Sequence, residues 1–313
     1  MNRPIRIAVV GLGKIAHDRH LPTIAASRQF ELVAAASPGA NLSGIPVFPD
    51  VGALLASGVA IDALAMCQPP QWRFEAAASA IRAGKHVLLE KPPGATVNEV
   101  EILTALAARA GTTVFAAWHS RHAPAVEPAR AWLVGRRVQS IEIRWQEDVR
   151  FWHAGQQWIW APGGTGVFDP GINALSILTL LLSEPIRILE GTLNVPANCS
   201  TPIAADLHLR SCGGIPIHAV FDWRSVGEPV WDLKIHTDTE SLCLSRGGAS
   251  LHIGGRESAL GPEREYPLLY QRFAELIAGH ETDADVTPLR LVADCFLRCA
   301  TVPVEPFHDG GLQ

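Results

Sequence analysis

The first third of the chain alternates continuous apolar runs with helical segments, and this alternation restricts the possible folds more than any other feature. The apolar runs are "IRIAVVG", "ELVAAAS", "DALAMCQPP", "KHVLLEKPP" and "TTVFAAWH". Between them lie "RFEAAASAIRAG" and "TVNEVEILTALAARAG", which both end in glycine, a common helix stop. Apolar strands separated by helices predict a parallel sheet covered on both faces.

The first of these strands runs directly into a glycine pattern. Gly11, Gly13 and Ala16 form G-x-G-x-x-A, with Lys14 and Ile15 opening the next helix. The first glycine permits a tight turn, the second lets the backbone approach a pyrophosphate, and the small third residue lets the helix pack on the strand. At the start of a sheet-forming series, this pattern predicts dinucleotide binding by Gly11, Gly13, Lys14 and Ile15 rather than a merely structural turn.

The part of the predicted site that faces the adenine ribose decides between NAD and NADP. An acidic residue about 20 positions after the glycines is typical of NAD binding. Glu31 has that spacing, but it opens the second strand, and the residue at the carboxyl end of that strand is Ser37. Serine does not repel a 2′-phosphate, and no arginine or lysine between residues 39 and 51 is available to pair with one. We therefore expect both NAD and NADP to be used, with their ranking open.

Two further strand ends are predicted to line the cofactor. Cys67 and Pro69 end the fourth strand, where the prolines stop the strand and form a wall; a simple strand stop is the alternative. Glu90 and Lys91 follow the fifth strand, and ligands of parallel sheets bind at the carboxyl ends of strands.

The character of the sequence changes near residue 120. A chain of 313 residues is long enough for about two domains, and "RVQSIEIRWQEDV", "DLHLRSC" and "WDLKIHTD" alternate apolar with polar residues. This alternation predicts half-exposed antiparallel strands. We expect a Rossmann domain in residues 1–120 and an α+β domain in residues 121–313, with an open, mostly antiparallel sheet and helices on one face. An open sheet with one apolar face suggests a homo-oligomer.

Charge and residue usage exclude several classes of protein. The net charge is -5 without a basic run, which disfavours a nucleic-acid or anionic-membrane partner. The longest apolar helix, near residues 172–182, is too short to span a bilayer. The first apolar run is short and is followed at once by Lys14, which argues against a signal peptide. The six cysteines are scattered, and His17, His20 and His122 show no ligand spacing with other metal-type side chains. We expect a cytoplasmic protein with reduced thiols and no metal.

The stretch "GGTGVFDPGIN" delivers a single carboxylate from a glycine-rich loop onto an apolar helix. Pro170 is suited to the first turn of that helix, which makes Asp169 a candidate N-cap. Asp169 and Asn173 have i, i+4 spacing, so both project from one side of the helix start. Helix capping alone is the alternative for Asp169.

Taken together, E-K-P after the fifth strand and the later G-G-x-G-V-x-D-x-G motif resemble the Gfo/Idh/MocA oxidoreductase family. The stretches "WHSRHAPAVEPAR", "RWQEDVRFWHAGQQWIW" and "FDPGINALSI" are similar to its bacterial aldose 1-dehydrogenases. The resemblance implies oxidation of L-arabinose or D-galactose at C1 to the lactone, with hydride transfer to NAD(P)+. It also implies a cis peptide before Pro92 and pairing of subunits through the second-domain sheet. The alternatives are a dehydrogenase of another ring hydroxyl, such as a cyclitol, and a non-catalytic sensor of cofactor or sugar.

One departure from the broad family concerns the proton acceptor. The usual second-domain motif is D-x-x-x-H, but the last position here is Asn173, whose amide does not titrate. Lys91, Asp169 and Asn173 are the predicted catalytic residues, and the proton acceptor is open between Asp169 and Lys91.

Sugar recognition combines an aromatic platform with polar groups for the hydroxyls. Four of the nine tryptophans crowd one region: Trp145, Trp152, Trp158 and Trp160. Glu147 and His153 lie among them, and His119 follows the last strand of the first domain. We predict substrate binding by His119, Glu147, Trp152 and His153. The alternatives are core packing for any single tryptophan, a solvated strand edge for Glu147 and His153, and a structural histidine for His119.

Overall fold

The computed structural model describes residues 3–308, which divide into two compact units. The first contains the residues up to His119 together with Tyr266–Val286, and the second contains Ser120–Glu265 together with the residues from Thr287 onward. The predicted second domain of residues 121–313 differs from this division, because residues 266–286 pack in the first unit. Tyr266, Tyr270 and Phe273 are buried there in its apolar core.

The regular elements follow in chain order. The strands are β1 (Ile5–Val10), β2 (Phe30–Ala36), β3 (Val47–Phe48), β4 (Ala63–Met66), β5 (His86–Glu90), β6 (Val114–Ala117), β7 (Val138–Gln146), β8 (Ile186–Pro196), β9 (Ala204–Ser211), β10 (Pro216–Asp222), β11 (Val230–Thr237), β12 (Ser241–Ser245), β13 (Ser250–Ile253), β14 (Arg256–Glu257) and β15 (Ala300–Val304). The α-helices are α1 (Leu21–Ala26), α2 (Val51–Ala56), α3 (Arg73–Arg82), α4 (Val97–Ala110), α5 (Val126–Leu133), α6 (Val149–Trp152), α7 (Phe168–Leu181), α8 (Glu265–Gly279) and α9 (Thr287–Arg298). Shorter helical turns are Ala16–His20, Pro70–Trp72, His119–His122, Gln157–Trp160 and Arg246–Gly248.

The first unit is built on a parallel sheet with the strand order β3-β2-β1-β4-β5-β6. Strand β4 in the interior of the sheet and strand β6 at its edge are both buried along their whole length, as their continuous apolar sequences predict. Thr96 and Glu99 form a capping box at the start of α4, and Gly111 ends that helix in a left-handed conformation. The predicted Rossmann sheet is confirmed.

The second unit is built on a mixed sheet with the order β14-β13-β12-β11-β7-β10-β9-β8-β15. Its pairs are antiparallel except β7 with β10 and β8 with β15. Alternate residues of β7 are buried, and α7 lies against β7 and β11 while α9 lies against β8. The opposite face of the sheet is polar, and Glu142 and Arg144 are exposed on it. The predicted open, mostly antiparallel sheet is confirmed, with its apolar face covered by helices.

Helix α7 begins earlier than the sequence predicted. Its N-cap is Val167, and Asp169 lies inside the first turn rather than at the cap. The helix starts earlier because the backbone N–H groups of Phe168 and Asp169 bond to the carbonyls of Thr165 and Gly166. Asp169 is therefore not the N-cap, although its i, i+4 relation to Asn173 on the helix is retained.

Among the helices within residues 3–308, none combines the length and apolar character needed to cross a membrane.

Candidate active site

The glycine loop after β1 is shaped for close backbone approach. Gly11 has φ 87°, and a Cβ there would lie 2.7 Å from the backbone nitrogen of Gln68. At Gly13, which is exposed, a Cβ would meet nothing within 4 Å, so the backbone faces open space. Ala16 is fully buried where the chain turns into the helix. This cradle fits a dinucleotide pyrophosphate, because the tight turn, the open second glycine and the small third residue are each present.

The other predicted cofactor residues lie around this loop. Ser37 directly follows β2, and its hydroxyl accepts a hydrogen bond from the Leu12 N–H at 3.2 Å. Lys14 is exposed and forms an ion pair with Asp18, while Ile15 is half-buried. Ser37 is therefore next to the glycine loop, at the carboxyl end of β2 where a ribose is expected.

Cys67 and Pro69 follow β4. Cys67 is buried, with its N–H bonded to the Val10 carbonyl beside the glycine loop, and Pro69 is half-buried. Their roles as a cofactor wall stay a prediction.

Lys91 follows β5 and is half-buried. The cis peptide that the resemblance implied is present between Lys91 and Pro92. Glu90 is 2% exposed, and one of its carboxylate oxygens accepts a hydrogen bond from the Lys91 N–H. The other oxygen accepts hydrogen bonds from the Tyr266 hydroxyl at 2.6 Å and from His20 Nε2 at 3.2 Å. The Glu90 carboxylate, predicted to bind cofactor, is thus directed to internal partners.

Glu90 and His20 form a buried ion pair. Burial alone would raise the pKa of Glu90, but the hydrogen bond and charge of His20, with the charges of His119 and Lys91, lower that pKa to about 2. Burial opposes protonation of His20, yet its neighbours Cys67, Tyr270 and Glu90 raise the His20 pKa well above its ordinary value. Each of the two groups therefore favours the charged form of the other.

His119 starts the helical turn after β6 and stacks on Tyr266, with ring centroids 5.3 Å apart at an angle of 21°. Tyr266 is the same residue that donates to Glu90. The structure thus brings His119 to the group around Glu90; its predicted contact with substrate stays a prediction.

In the second unit, Glu147 follows β7 and is 2% exposed, which excludes the alternative of a solvated strand edge. Trp231 Nε1 donates to its carboxylate at 2.7 Å, and Trp223 Nε1 donates to it at 3.2 Å. His153 Nε2 lies 3.4 Å from the same carboxylate. A buried carboxylate needs hydrogen-bond donors, and the two indole N–H groups fix its orientation.

His153 connects Glu147 to Asp169. Its Nδ1 lies 3.7 Å from Asp169 Oδ2, and the Asp169 side chain is buried. Three residues predicted from the sequence are therefore neighbours in one unit: a carboxylate, an imidazole and a second carboxylate. Such an arrangement is suited to holding hydroxyl groups and to accepting a proton.

Aromatic rings lie beside this group. Trp231 stacks on Trp145 at 6.2 Å and contacts Trp152 at 5.2 Å, and the Trp152 side chain is exposed. Trp145 is buried, which agrees with the core-packing alternative for that residue. Asn173 is half-buried one turn after Asp169 on α7.

The aromatic partners of the two buried glutamates, Glu90 and Glu147, were not predicted from the sequence. Tyr266 and Tyr270 lie on α8, Trp223 directly follows β10, and Trp231 lies on β11. Only their residue types gave a signal, since tyrosine and tryptophan carry donors suited to a buried carboxylate.

The prediction of no metal site stays a prediction. Across the part of the chain that is described, one group has metal-type ligand atoms within 4.8 Å of one another: Asp206, His208 and His218. It lies on the exposed face of β9 and β10, where His218 already bonds to Asp206 at 2.8 Å. The cross-strand pairing of His208 with His218 was not visible as a sequence spacing.

A parallel sheet in this strand order, with a glycine loop after β1, defines a dinucleotide-binding Rossmann protein. The model of the oxidoreductase family with an NAD-binding Rossmann fold matches residues 5–118. The chain belongs to this Gfo/Idh/MocA oxidoreductase family. It is an NAD(P)-dependent oxidoreductase with an NAD-binding Rossmann fold, and the placement of the dinucleotide at the glycine cradle stays a prediction.

Two similar proteins match almost the full length. A galactose 1-dehydrogenase from Pseudomonas fluorescens is 44% identical over 98% of this chain and 100% of the relative. The crystal structure of a D-galactose-1-dehydrogenase from Rhizobium etli has a TM-score of 0.94 and 51% identity, covering 98% of this chain and 99% of that one. A 3-ketoreductase from Actinomadura kijaniata in complex with NADP has a TM-score of 0.82 at 20% identity, covering 96% and 99% of the two chains, and shares the fold.

Proposed function

We propose that this enzyme oxidises an aldopyranose at C1 to the lactone, with D-galactose and L-arabinose as the sugars that fit one pocket. The observation that supports the proposal most is the full-length likeness to two galactose 1-dehydrogenases. L-arabinose is included because the two pyranoses share the hydroxyl configuration around most of the ring.

The reaction removes a hydride from C1 and a proton from the C1 hydroxyl. The bound nicotinamide supplies the hydride acceptor. The protein must orient C1 and accept the proton, and the candidates for the acceptor are Asp169 and Lys91. His153 Nδ1 lies 3.7 Å from Asp169 Oδ2, so an imidazole lies beside the Asp169 carboxylate. Lys91 is the other candidate for the acceptor, and its alternative role is to polarise the C1 oxygen.

Recognition of the remaining hydroxyls is assigned to the polar groups around Asp169. Glu147 is held by two indole donors, so its free lone pairs have a fixed direction for a sugar hydroxyl. His153 and Asn173 offer further partners, and the exposed ring of Trp152 offers an apolar face for the C–H side of the sugar. His119 is also proposed to bind the substrate.

Use of both NAD and NADP is part of the proposal. Ser37 lies beside the glycine loop and carries no charge, so it neither repels nor pairs with a 2′-phosphate.

A cytoplasmic location is also part of the proposal. The six cysteines are free thiols, which fits the reducing cytoplasm.

Pairing of subunits through the second-unit sheet is also proposed. The exposed face carries charged residues of both signs, including Glu142, Arg144 and Asp206. A pairing there would depend on charge complementarity, so light scattering should give a dimer for the wild type and a monomer for Arg144→Glu. Wild-type protein that stays monomeric would refute this part of the proposal.

The direct test of function is the absorbance of reduced nicotinamide with a panel of substrates. D-galactose and L-arabinose should be oxidised with either cofactor, D-glucose, which differs from galactose only at C4, more slowly, and myo-inositol not at all. Turnover of the inositol alone would favour the cyclitol alternative, and tight cofactor binding without any turnover would favour the sensor. NMR of the product should show the lactone.

Variants test the assigned roles. Asp169→Ala and Lys91→Ala should each lower kcat by at least about 100-fold, because each removes a group that acts on the C1 hydroxyl. Cofactor affinity should stay within a few-fold of the wild type. Lys85→Ala, which removes a lysine just before β5, is the matched control and should leave kcat unchanged. Unchanged turnover in either site variant removes that residue from the mechanism.

A further inference from the structure

The backbone on both sides of Lys91 is held by a buried guanidinium. Arg73, the first residue of α3, is buried, and its guanidinium donates hydrogen bonds to the carbonyls of Glu90 and Pro92. These are the residues immediately before and after Lys91. A third bond goes to the carbonyl of Gln68. The planar fork of arginine suits such simultaneous contacts, which a lysine ammonium cannot reproduce in the same geometry.

The backbone N–H of Lys91 is held by the Glu90 carboxylate. That carboxylate is fixed in turn by the Tyr266 hydroxyl at 2.6 Å and by His20 Nε2 at 3.2 Å. The second ring nitrogen of His20 lies 2.8 Å from the Tyr270 hydroxyl. The backbone at Lys91 therefore has fixed partners at its N–H and at both flanking carbonyls, and the residues that hold the Glu90 carboxylate come from elements far away in sequence.

This set of buried charges is an inefficient way to stabilise a fold. Desolvation of a buried ion pair offsets much of its Coulomb attraction, and apolar residues of similar volume are often as stabilising. What the charged network does supply is direction, since three of its hydrogen bonds fix backbone atoms of the segment that carries the Lys91 side chain and two more fix the Glu90 carboxylate.

We propose that Arg73 and Glu90 are positioning residues for Lys91, and that His20 and Tyr266 act through Glu90 to keep its carboxylate in place. The proposal rests on the catalytic role assigned to Lys91 in the proposed function. Its consequence is that the network serves turnover only through Lys91, and serves neither cofactor binding nor sugar binding directly.

The test is a double-mutant cycle on kcat in wild-type and Lys91→Ala backgrounds. Glu90→Gln and Arg73→Lys keep side-chain size but lose the charge or the fork, and each should lower kcat about 10- to 100-fold through misplacement of the amine. In the Lys91→Ala background, the same changes should alter the residual kcat less than about two-fold. Free alkylamine added to the Lys91→Ala enzymes should raise their turnover to a measurable and equal level, since an untethered amine is not positioned by this backbone.

Milder and control variants accompany the cycle. Tyr266→Phe removes a single donor to Glu90 and should lower kcat a few-fold, which keeps the test available if a charge variant does not fold. His86→Gln alters the opposite end of β5 and should change kcat in neither background. Cofactor dissociation constants should stay within about three-fold of the parent in every variant.

The outcomes separate the two proposals. Equal losses in both backgrounds would mean that Glu90 and Arg73 are merely structural, and no loss in the wild-type background would mean that positioning is unnecessary. Either result overturns this inference while the role of Lys91 stands. Full turnover of Lys91→Ala itself would instead overturn the proposed role of Lys91.

Discussion

Replacement of Gly11 by alanine tests whether the turn after β1 has the close approach seen in the structure. The backbone there has φ 87°, and the new Cβ would lie 2.7 Å from the nitrogen of Gln68 and 2.9 Å from its Cα. A left-handed conformation costs a non-glycine residue about 1–2 kcal/mol. Overpacking against a rigid neighbour adds about 1–3 kcal/mol. We expect Gly11→Ala to lower the free energy of unfolding by about 2–5 kcal/mol, and hence Tm by about 4–20 °C.

Gly13→Ala is the matched control. Gly13 is not among the glycines with positive φ, and a Cβ there meets nothing within 4 Å. Its Tm without cofactor should therefore equal that of the wild type. Cofactor binding should nevertheless weaken about ten-fold or more, because the Cβ occupies the space that the pyrophosphate approaches.

The assay for both variants is thermal unfolding followed by circular dichroism, with an NADP titration followed by tryptophan fluorescence. Gly11→Ala melting with the wild type would refute the steric argument at that turn. Gly13→Ala losing as much stability as Gly11→Ala would show that the two glycines are not distinguished by local space, and unchanged NADP affinity in Gly13→Ala would place the pyrophosphate elsewhere.

Three further outcomes are expected. Ser37→Asp should abolish use of NADP through charge repulsion and retain use of NAD, in steady-state assays with each cofactor; equal loss of both would mean that the ribose does not lie there. Trp231→Phe removes the 2.7 Å donor to Glu147 and should raise the KM for galactose about ten-fold without changing NADP affinity; an unchanged KM would argue against Glu147 as a sugar ligand. Asp62 bonds to Arg6, and that hydrogen bond outweighs the effect of burial and holds the Asp62 pKa well below its usual range. The stability that this hydrogen bond provides is present above about pH 4 and is lost as the pH falls through the pKa of Asp62 in the folded protein. The Tm difference between wild type and Asp62→Asn should therefore shrink below pH 4, and a constant difference would contradict the assignment.

The parts of the fold that the sequence predicted depend on local signals. The apolar run of β1, the apolar run of β5 and the glycine pattern are each formed by a few residues that are adjacent in the chain. The second-unit strands were recognised because alternation along β7 reports one covered and one exposed face. Such patterns arise from side-chain periodicity, which sequence carries directly.

The parts that the sequence did not predict depend on contacts between distant segments. An amphipathic pattern predicts that α8 has a buried face but not which sheet receives it, so the pairing of Tyr266 with Glu90 was invisible. The tryptophans that bond to Glu147 likewise come from positions 223 and 231. The N-cap of α7 was misplaced because backbone bonds of the preceding loop, rather than the proline, set the start of the helix.

The two buried glutamates show why distant aromatic residues matter here. A carboxylate removed from water needs hydrogen-bond donors, and tyrosine and tryptophan supply one donor while filling apolar space with the rest of the ring. Both Glu90 oxygens accept hydrogen bonds, one from a histidine and a tyrosine and the other from the N–H of Lys91. Any effect of Glu90 on a reaction is therefore exerted through the Lys91 backbone. Glu147 has two indole donors and an imidazole that also faces Asp169. These partners all belong to the protein, so the orientation of each carboxylate does not depend on a ligand. For the proposed roles of Lys91 and Glu147, such preorganisation is what a fixed hydrogen-bond network would contribute to catalysis.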